Sequence, residues 1–363
     1  MTTPDQLVYG DGRTRSKICP GPSRFDGGVI EFRTAEVGPQ LRDIGIFFSQ
    51  PDTKLRADLR QYEPAILAKD TPRFQLRGVR ISLAWVGIDM TGNSGGALID
   101  DLEMSAFSKG IWVDGSLDSV RLDNIHSWVF GMTPNQREAF FDHNAVSFEI
   151  GRCDDCQIRG GLSMAGTAMH FYRGSTGYAF GSISNFAFDT NNGINISAGV
   201  IDASSVYFTL NPNARVEAIH MTGGTLNVST FWALAGPTVV PMVDVLSEDT
   251  KEITALNMAN GKISLGRQDA TFLLTTNQGG QIHVGLSNNF FDATPNVVHL
   301  NPVISISRNS RLQAMGNQIS DKGAGTGTYI LVQSDDWHRI VYNASVGWEN
   351  KFPVATLGIY GPN

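Results

Sequence analysis

The sequence predicts an all-β solenoid, a single-stranded parallel β-helix of about ten to twelve coils with two or three short strands per coil. Two repeats running in phase and an unusual composition carry this expectation. The first repeat is a six-residue frame, apolar-x-small-apolar-x-apolar, with Leu122-Asp-Asn-Ile-His-Ser127 as its centre. It recurs as Leu41-Arg-Asp-Ile-Gly-Ile46, Leu76-Arg-Gly-Val-Arg-Ile81, Ile99-Asp-Asp-Leu-Glu-Met104, Ile183-Ser-Asn-Phe-Ala-Phe188 and Ile253-Thr-Ala-Leu-Asn-Met258. Looser copies are Ile158-Arg-Gly-Gly-Leu-Ser163, read one register off, and Leu312-Gln-Ala-Met-Gly-Asn317. Val79, Leu102 and Ile125 are 23 residues apart. The third position holds Asp43, Gly78, Asp101, Asn124 and Asn185, residue types that accept left-handed backbone angles. One such residue between two short β runs turns the chain sharply and keeps the flanking apolar residues on one interior.

The second repeat, Gly-apolar-x-apolar-x-Gly, falls between the corners. It reads Gly87-Ile-Asp-Met-Thr-Gly92, Gly110-Ile-Trp-Val-Asp-Gly115, Val146-Ser-Phe-Glu-Ile-Gly151 and Met169-His-Phe-Tyr-Arg-Gly174. Later copies are Gly193-Ile-Asn-Ile-Ser197, Ile219-His-Met-Thr-Gly223 and Val243-Asp-Val245. The alternation is that of a strand with apolar residues in and polar residues out. Composition agrees: 39 of 363 residues are glycine and only 17% are charged, below the roughly 25% of ordinary soluble domains.

In chain order, residues 1–40 form the entry and first coil and residues 41–345 the body. Insertions fall at 47–75 and 127–145, a flexible connection at 320–328, and a closing segment at 346–363 that covers the last strand. A net charge of −7 without a basic tract speaks against a nucleic-acid partner. No apolar run is long enough for a membrane span, and the N-terminus carries no secretion signal. Cys153-x-x-Cys156 without a second pair reads as turn residues rather than a metal or redox centre; no metal or other cofactor is expected.

Stacking places equivalent residues about 4.8 Å apart on neighbouring coils. The outward positions of the second repeat therefore predict two columns. One runs Asp89, Trp112, Ser147, His170, Asn195, His220, Asp244; the other runs Thr91, Asp114, Glu149, Tyr172, Ser197, Thr222. Carboxylates, imidazoles and aromatic rings on one face suit a polysaccharide, whose rings need platforms and whose linkages need acid–base groups. Asp114 and Glu149 are the expected acid–base pair for hydrolysis. His170, Tyr172 and Arg152 offer β-elimination instead, with an arginine neutralising a uronate. Asp89, Trp112, Trp128, Arg173 and Asn195 are expected to hold substrate, although Trp112 also suits a contact with a neighbouring subunit. His220 and Asp244 read as surface residues, and Arg80, Glu103 and His126 as a structural charge ladder.

The Leu122–Ser127 frame and Gly110-Ile-Trp-Val-Asp-Gly115 resemble the coils of the pectate-lyase-like right-handed β-helices, over residues 8–345. Val8-Tyr-Gly-Asp-Gly-Arg13 resembles the first coil of bacteriophage tailspikes and exopolysaccharide-degrading proteins. The resemblance implies a right-handed coil and a homotrimer on a virion tail or outside the cell. The implied activity is depolymerisation of a bacterial polysaccharide; a non-catalytic glycan-binding spike and an isomerase acting on polymer residues stand as rivals. The capping segment that usually opens such proteins is missing, which makes a body fragment of a longer spike the expectation.

Overall fold

The computed structural model describes residues 7–21, 27–32, 38–210, 217–235, 240–247, 252–265, 271–293 and 303–321, with the backbones of four further short strands up to residue 356. The chain is a parallel β-helix, with an all-parallel sheet wound nearly round an axis. It divides into two compact units, Met1–Thr190 and Asn191–Asn363. The flexible connection expected at 320–328 and the closing segment expected from 346 fall largely outside the described residues.

In the first unit the corner residues do what their chemistry predicts. Asp43, Gly78, Asp101, Asn124 and Asn185 have φ of 54°, 62°, 55°, 53° and 53°. Before each corner an apolar residue faces inward, and these residues align rung by rung: Leu41, Leu76, Ile99, Leu122, Ile158, Ile183, all buried. The copy at Ile158 is in register, contrary to expectation. Gly160, with φ of 60°, is its corner, and Gly161 occupies the position that Ile125 and Phe186 fill in the adjacent coils.

In the second unit the inward stack is Ile201, Leu226, Leu256, Val284 and Leu312. The corner again follows two residues after a buried residue, here Ala203, Val228, Met258, Leu286 and Ala314. The left-handed residues are Ser205, Thr230, Asn260, Asn288 and Gly316, so the copies at Ile253 and Leu312 turn at Asn260 and Gly316 rather than at Ala255 and Ala314. Alanine at the third position of those two frames resists a left-handed angle, and rung alignment places the corners at Asn260 and Gly316 instead. Just inside this corner, Asn289 and Asn317 are buried. The Asn289 side-chain amide donates to the carbonyl of Met258 at 3.0 Å, and that of Asn317 to Leu286 at 3.0 Å. Buried amides are tolerable because backbone partners satisfy them.

The two insertions lie in the first unit and pack together. The earlier one is shorter than expected, since Ile66–Leu67 is already a body strand paired with Ile88 and Asp89. The later one carries a helix, Pro134–Phe140, started by a capping box between Thr133 and Gln136. Gln136 donates to the carbonyls of Gln50 and Pro51, and Thr133 to Asp52. Beneath them Leu59, Phe107, Met132, Ala139, Phe140 and Ala165 form a satellite core. Cys153 and Cys156 are not turn residues: both are buried on the strand Cys153–Ser163. Their mutual hydrogen bond, then burial, pushes the Cys156 thiol well up, which leaves it unreactive.

Asn124 is exposed, so its backbone angle and not its packing sets its worth. Asn124→Val is expected to cost about 1–2 kcal/mol, whereas Asn124→Gly stays near the parent; unfolding midpoints of the two variants check this.

Candidate functional site

The strands of the second repeat build the wall that carries the titratable groups. In the first unit Ile66, Ile88, Ile111, Phe148 and Met169 stack inward, and the residue after each points out. The outward column is Asp89, Trp112, Glu149, His170. Glu149 thus belongs beside Trp112 and not below Asp114. The expected register of Val146–Ile150 is corrected by two residues, with Val146 opposite Lys109 and Phe148 opposite Ile111. Ser147, expected outward, is buried and shares its hydroxyl with Ser127 and Ser163 at 2.7 and 2.9 Å.

Around this column the side chains interlock. Glu149 Oε2 lies 3.2 Å from His170 Nδ1. The His170 ring stacks on Tyr172, centroids 5.4 Å apart and planes at 29°. Trp112 Nε1 donates to the Tyr172 hydroxyl at 2.9 Å, and Lys109 Nζ sits 3.3 Å from the centre of the Trp112 ring. Asp89 closes the upper end, with Oδ1 accepting from the amide and hydroxyl of Thr91 at 3.0 and 2.8 Å. Glu149, His170, Tyr172 and Asp114 therefore share one half-exposed wall.

Electrostatics follow from crowding. Burial, with the Asp114, Glu149 and Asp89 carboxylates adding to it, raises the Tyr172 phenol to about 12 although the Trp112 hydrogen bond opposes the shift. At neutral pH that phenol is a hydrogen-bond donor and not a base. Burial lowers the Lys109 ammonium, and Glu149, Asp89 and Asp114 pull it back up. Lys109 is the group that sequence reasoning missed. Its neighbours in register are Val86 and Val146, and a lysine aligned with two valines is the signal that could have found it.

The other expected residues are placed differently. Asp114 is a brace: Oδ1 accepts from the Arg152 amide at 2.9 Å and Oδ2 from the Ser175 amide at 3.1 Å. Arg152 turns to Asp154, with Nε 3.1 Å from Oδ1, and to the carbonyl of Thr176 at 3.3 Å. Arg173 is exposed and lies over Tyr178, 5.5 Å from its ring centre. Trp128 belongs to another face, beside His126 with centroids 5.9 Å apart. There Arg80 and Glu103 pair at 3.5 Å and Arg13 joins Glu103 at 3.1 Å, the charge ladder expected. Asn195 lies in the second unit, where it aligns with His220 and then Asp244. His220 and Asp244 are more than surface residues: His220 Nδ1 is 3.3 Å from Asp244 and 3.7 Å from Glu217, and burial raises the Glu217 carboxyl.

Among the described residues no three His, Cys, Asp or Glu side chains are grouped to hold a metal ion, and no helix is long and apolar enough to cross a membrane. No protein family, curated protein or solved structure matches the chain.

Asp114→Asn leaves one of two backbone amides without its acceptor. The expected cost is about 1–3 kcal/mol, read as a lowered thermal midpoint and faster hydrogen exchange at Arg152 and Ser175.

Proposed function

We propose that this chain is a tailspike-like depolymerase that hydrolyses a bacterial surface polysaccharide or exopolysaccharide on the wall of Asp89, Trp112, Glu149 and His170. The observation that carries the reading is the column itself. Asp89 and Glu149 sit two rungs apart with Trp112 between them, a backbone separation of about 10 Å. That is close to the spacing of carboxyl pairs in inverting glycosidases, which leave room for a water opposite the leaving group. Asp89 and Glu149 replace Asp114 and Glu149 as the acid–base pair, since both Asp114 oxygens are engaged by backbone amides. His170 orients Glu149, and Lys109 and Trp112 form the floor between the carboxylates. The virion location and homotrimer come with the resemblance of the coils and belong to this proposal.

A second reading, β-elimination, has one observation in its favour: burial makes Lys109 easier to deprotonate, as a base requires. Against it stand three carboxylates that repel a uronate, a Tyr172 phenol kept protonated, and an Arg152 that pairs with Asp154.

Purified protein is incubated with a panel of capsular polysaccharides and exopolysaccharides while reducing ends, ultraviolet absorbance and product anomers are followed. The expected result is new reducing ends of inverted configuration without an absorbing double bond. Glu149→Gln and Asp89→Asn each slow the reaction by about 10²–10⁴-fold with the fold retained. Unsaturated products transfer the assignment to elimination. Binding without shortening of any polymer, or full activity in both variants, overturns hydrolysis.

A further inference from the structure

The second unit carries a groove whose chemistry is unlike that of the acidic wall. On the strands preceding the corner, outward side chains form a hydrogen-bonded ladder of one carboxylate and two carboxamides: Asp202, Asn227, Asn257. Asn227 Nδ2 donates to Asp202 at 2.7 Å and Asn257 Nδ2 to Asn227 at 2.8 Å. The next rung is Gly285 and the one after is Gln313. The ladder stops at the glycine. Two hollows of about 300 and 280 Å³ meet there, both lined by Asn257, Gly285 and Gln313.

This interruption leaves hydrogen-bonding capacity on both sides of a gap. Asn257 spends its amide on the rung above, and its Oδ1 lies 2.5 Å from where a Gly285 Cβ would stand. Among the described residues Gln313 has only a long contact, 3.7 Å, from Nε2 to the Met315 sulfur. The two carboxamides lie two rungs apart, about 10 Å along the stack, room for a pyranose ring with its hydroxyls. A carboxamide offers a donor and an acceptor together, the pairing that vicinal hydroxyls need. Arg311, exposed and next to His283 in register, borders the smaller hollow. Among the described residues no carboxylate lines either one.

We propose that the gap at Gly285 is a retention site for an acidic sugar residue, with Asn257 and Gln313 on its hydroxyls and Arg311 on its carboxylate. A guanidinium matches a carboxylate with two parallel hydrogen bonds, which selects carboxylated over neutral saccharides. Gly285 is the specificity element, because any side chain there refills the gap. The site rests on the glycan-handling reading above and adds to it a binding role apart from cleavage. It gives the polymer two requirements: a linkage that the acidic wall accepts and a uronate-type residue that this groove holds.

The test uses the whole chain on a printed array whose saccharides carry uronates, sulfates or no charge. The decisive variant is Gly285→Asn, which continues the amide ladder. It meets only the tip of the Asn257 side chain, so its thermal midpoint should match that of the parent. The parent is expected to retain uronate-bearing saccharides above sulfated and neutral ones. Gly285→Asn should lose at least about tenfold of that binding, since two hydrogen-bonding rungs vanish. Arg311→Gln should lose the preference for uronates while leaving weak neutral binding unchanged. The inference is overturned if Gly285→Asn and Arg311→Gln bind like the parent, if neutral saccharides are retained as well as uronates, or if nothing is retained. Should hydrolysis fail while the groove variants still lose binding, the depolymerase reading falls and this site stands.

Discussion

The described coils of both units depend on one backbone constraint, a residue with positive φ at the same point of successive coils. Because a side chain other than that of Gly, Asn or Asp resists that angle, the corner can be placed only where such a residue occurs or where packing compels one. Each turn sends the next strand back along its predecessor, and parallel pairing then repeats every residue type at the rung spacing. The apolar stack from Leu41 to Ile183 fills the interior by the same rule. What faces outward is free to vary, and that freedom is where chemistry enters.

Rung spacing turns distant sequence into contiguous surface. Asp89, Trp112, Glu149 and His170 span 82 residues of chain yet occupy four consecutive rungs. The consequence is electrostatic. Carboxylates accumulate around a half-buried lysine and a phenol held protonated, and the groups regulate one another through a partly desolvated space. The groove in the second unit arises by the opposite means, by omission. A ladder of polar side chains that satisfies itself from the Asp202 carboxylate to the Asn257 carboxamide meets Gly285, and the hydrogen-bonding capacity left over faces solvent.

Much of the fold was legible because corner and alternation are local properties. Asp43, Gly78, Asp101, Asn124 and Asn185 could be read as corners from residue type alone. The helix of the second insertion was also written in its Thr133-Pro-Asn-Gln136 start, although 127–145 was expected only as an insertion. Register was not legible at Val146–Ile150. A strict alternation looks the same after a shift of two residues, because Val146, Phe148 and Ile150 all satisfy the interior; only a one-residue slip would have exposed a hydrophobic face. That ambiguity moved Glu149 from beside Asp114 to beside Trp112. It also hid Lys109, which the frame beginning at Gly110 excluded. The corner at Asn260 escaped for a related reason, since Ile253–Met258 fits the frame in its apolar positions although the aligned frame begins at Met258.

The account therefore stands or falls on which residue is the lateral neighbour of Trp112, and cysteine cross-linking measures that directly. In a Cys19→Ser background, cysteine pairs are placed at 112 and 149 or at 114 and 149, and mild oxidation is followed by peptide mapping. Adjacent parallel rungs put Cα atoms within disulfide range. The structure predicts an efficient bridge for 112 with 149 and a poor one for 114 with 149. A bridge formed preferentially between 114 and 149 would contradict the register, and with it the column of Asp89, Trp112, Glu149 and His170.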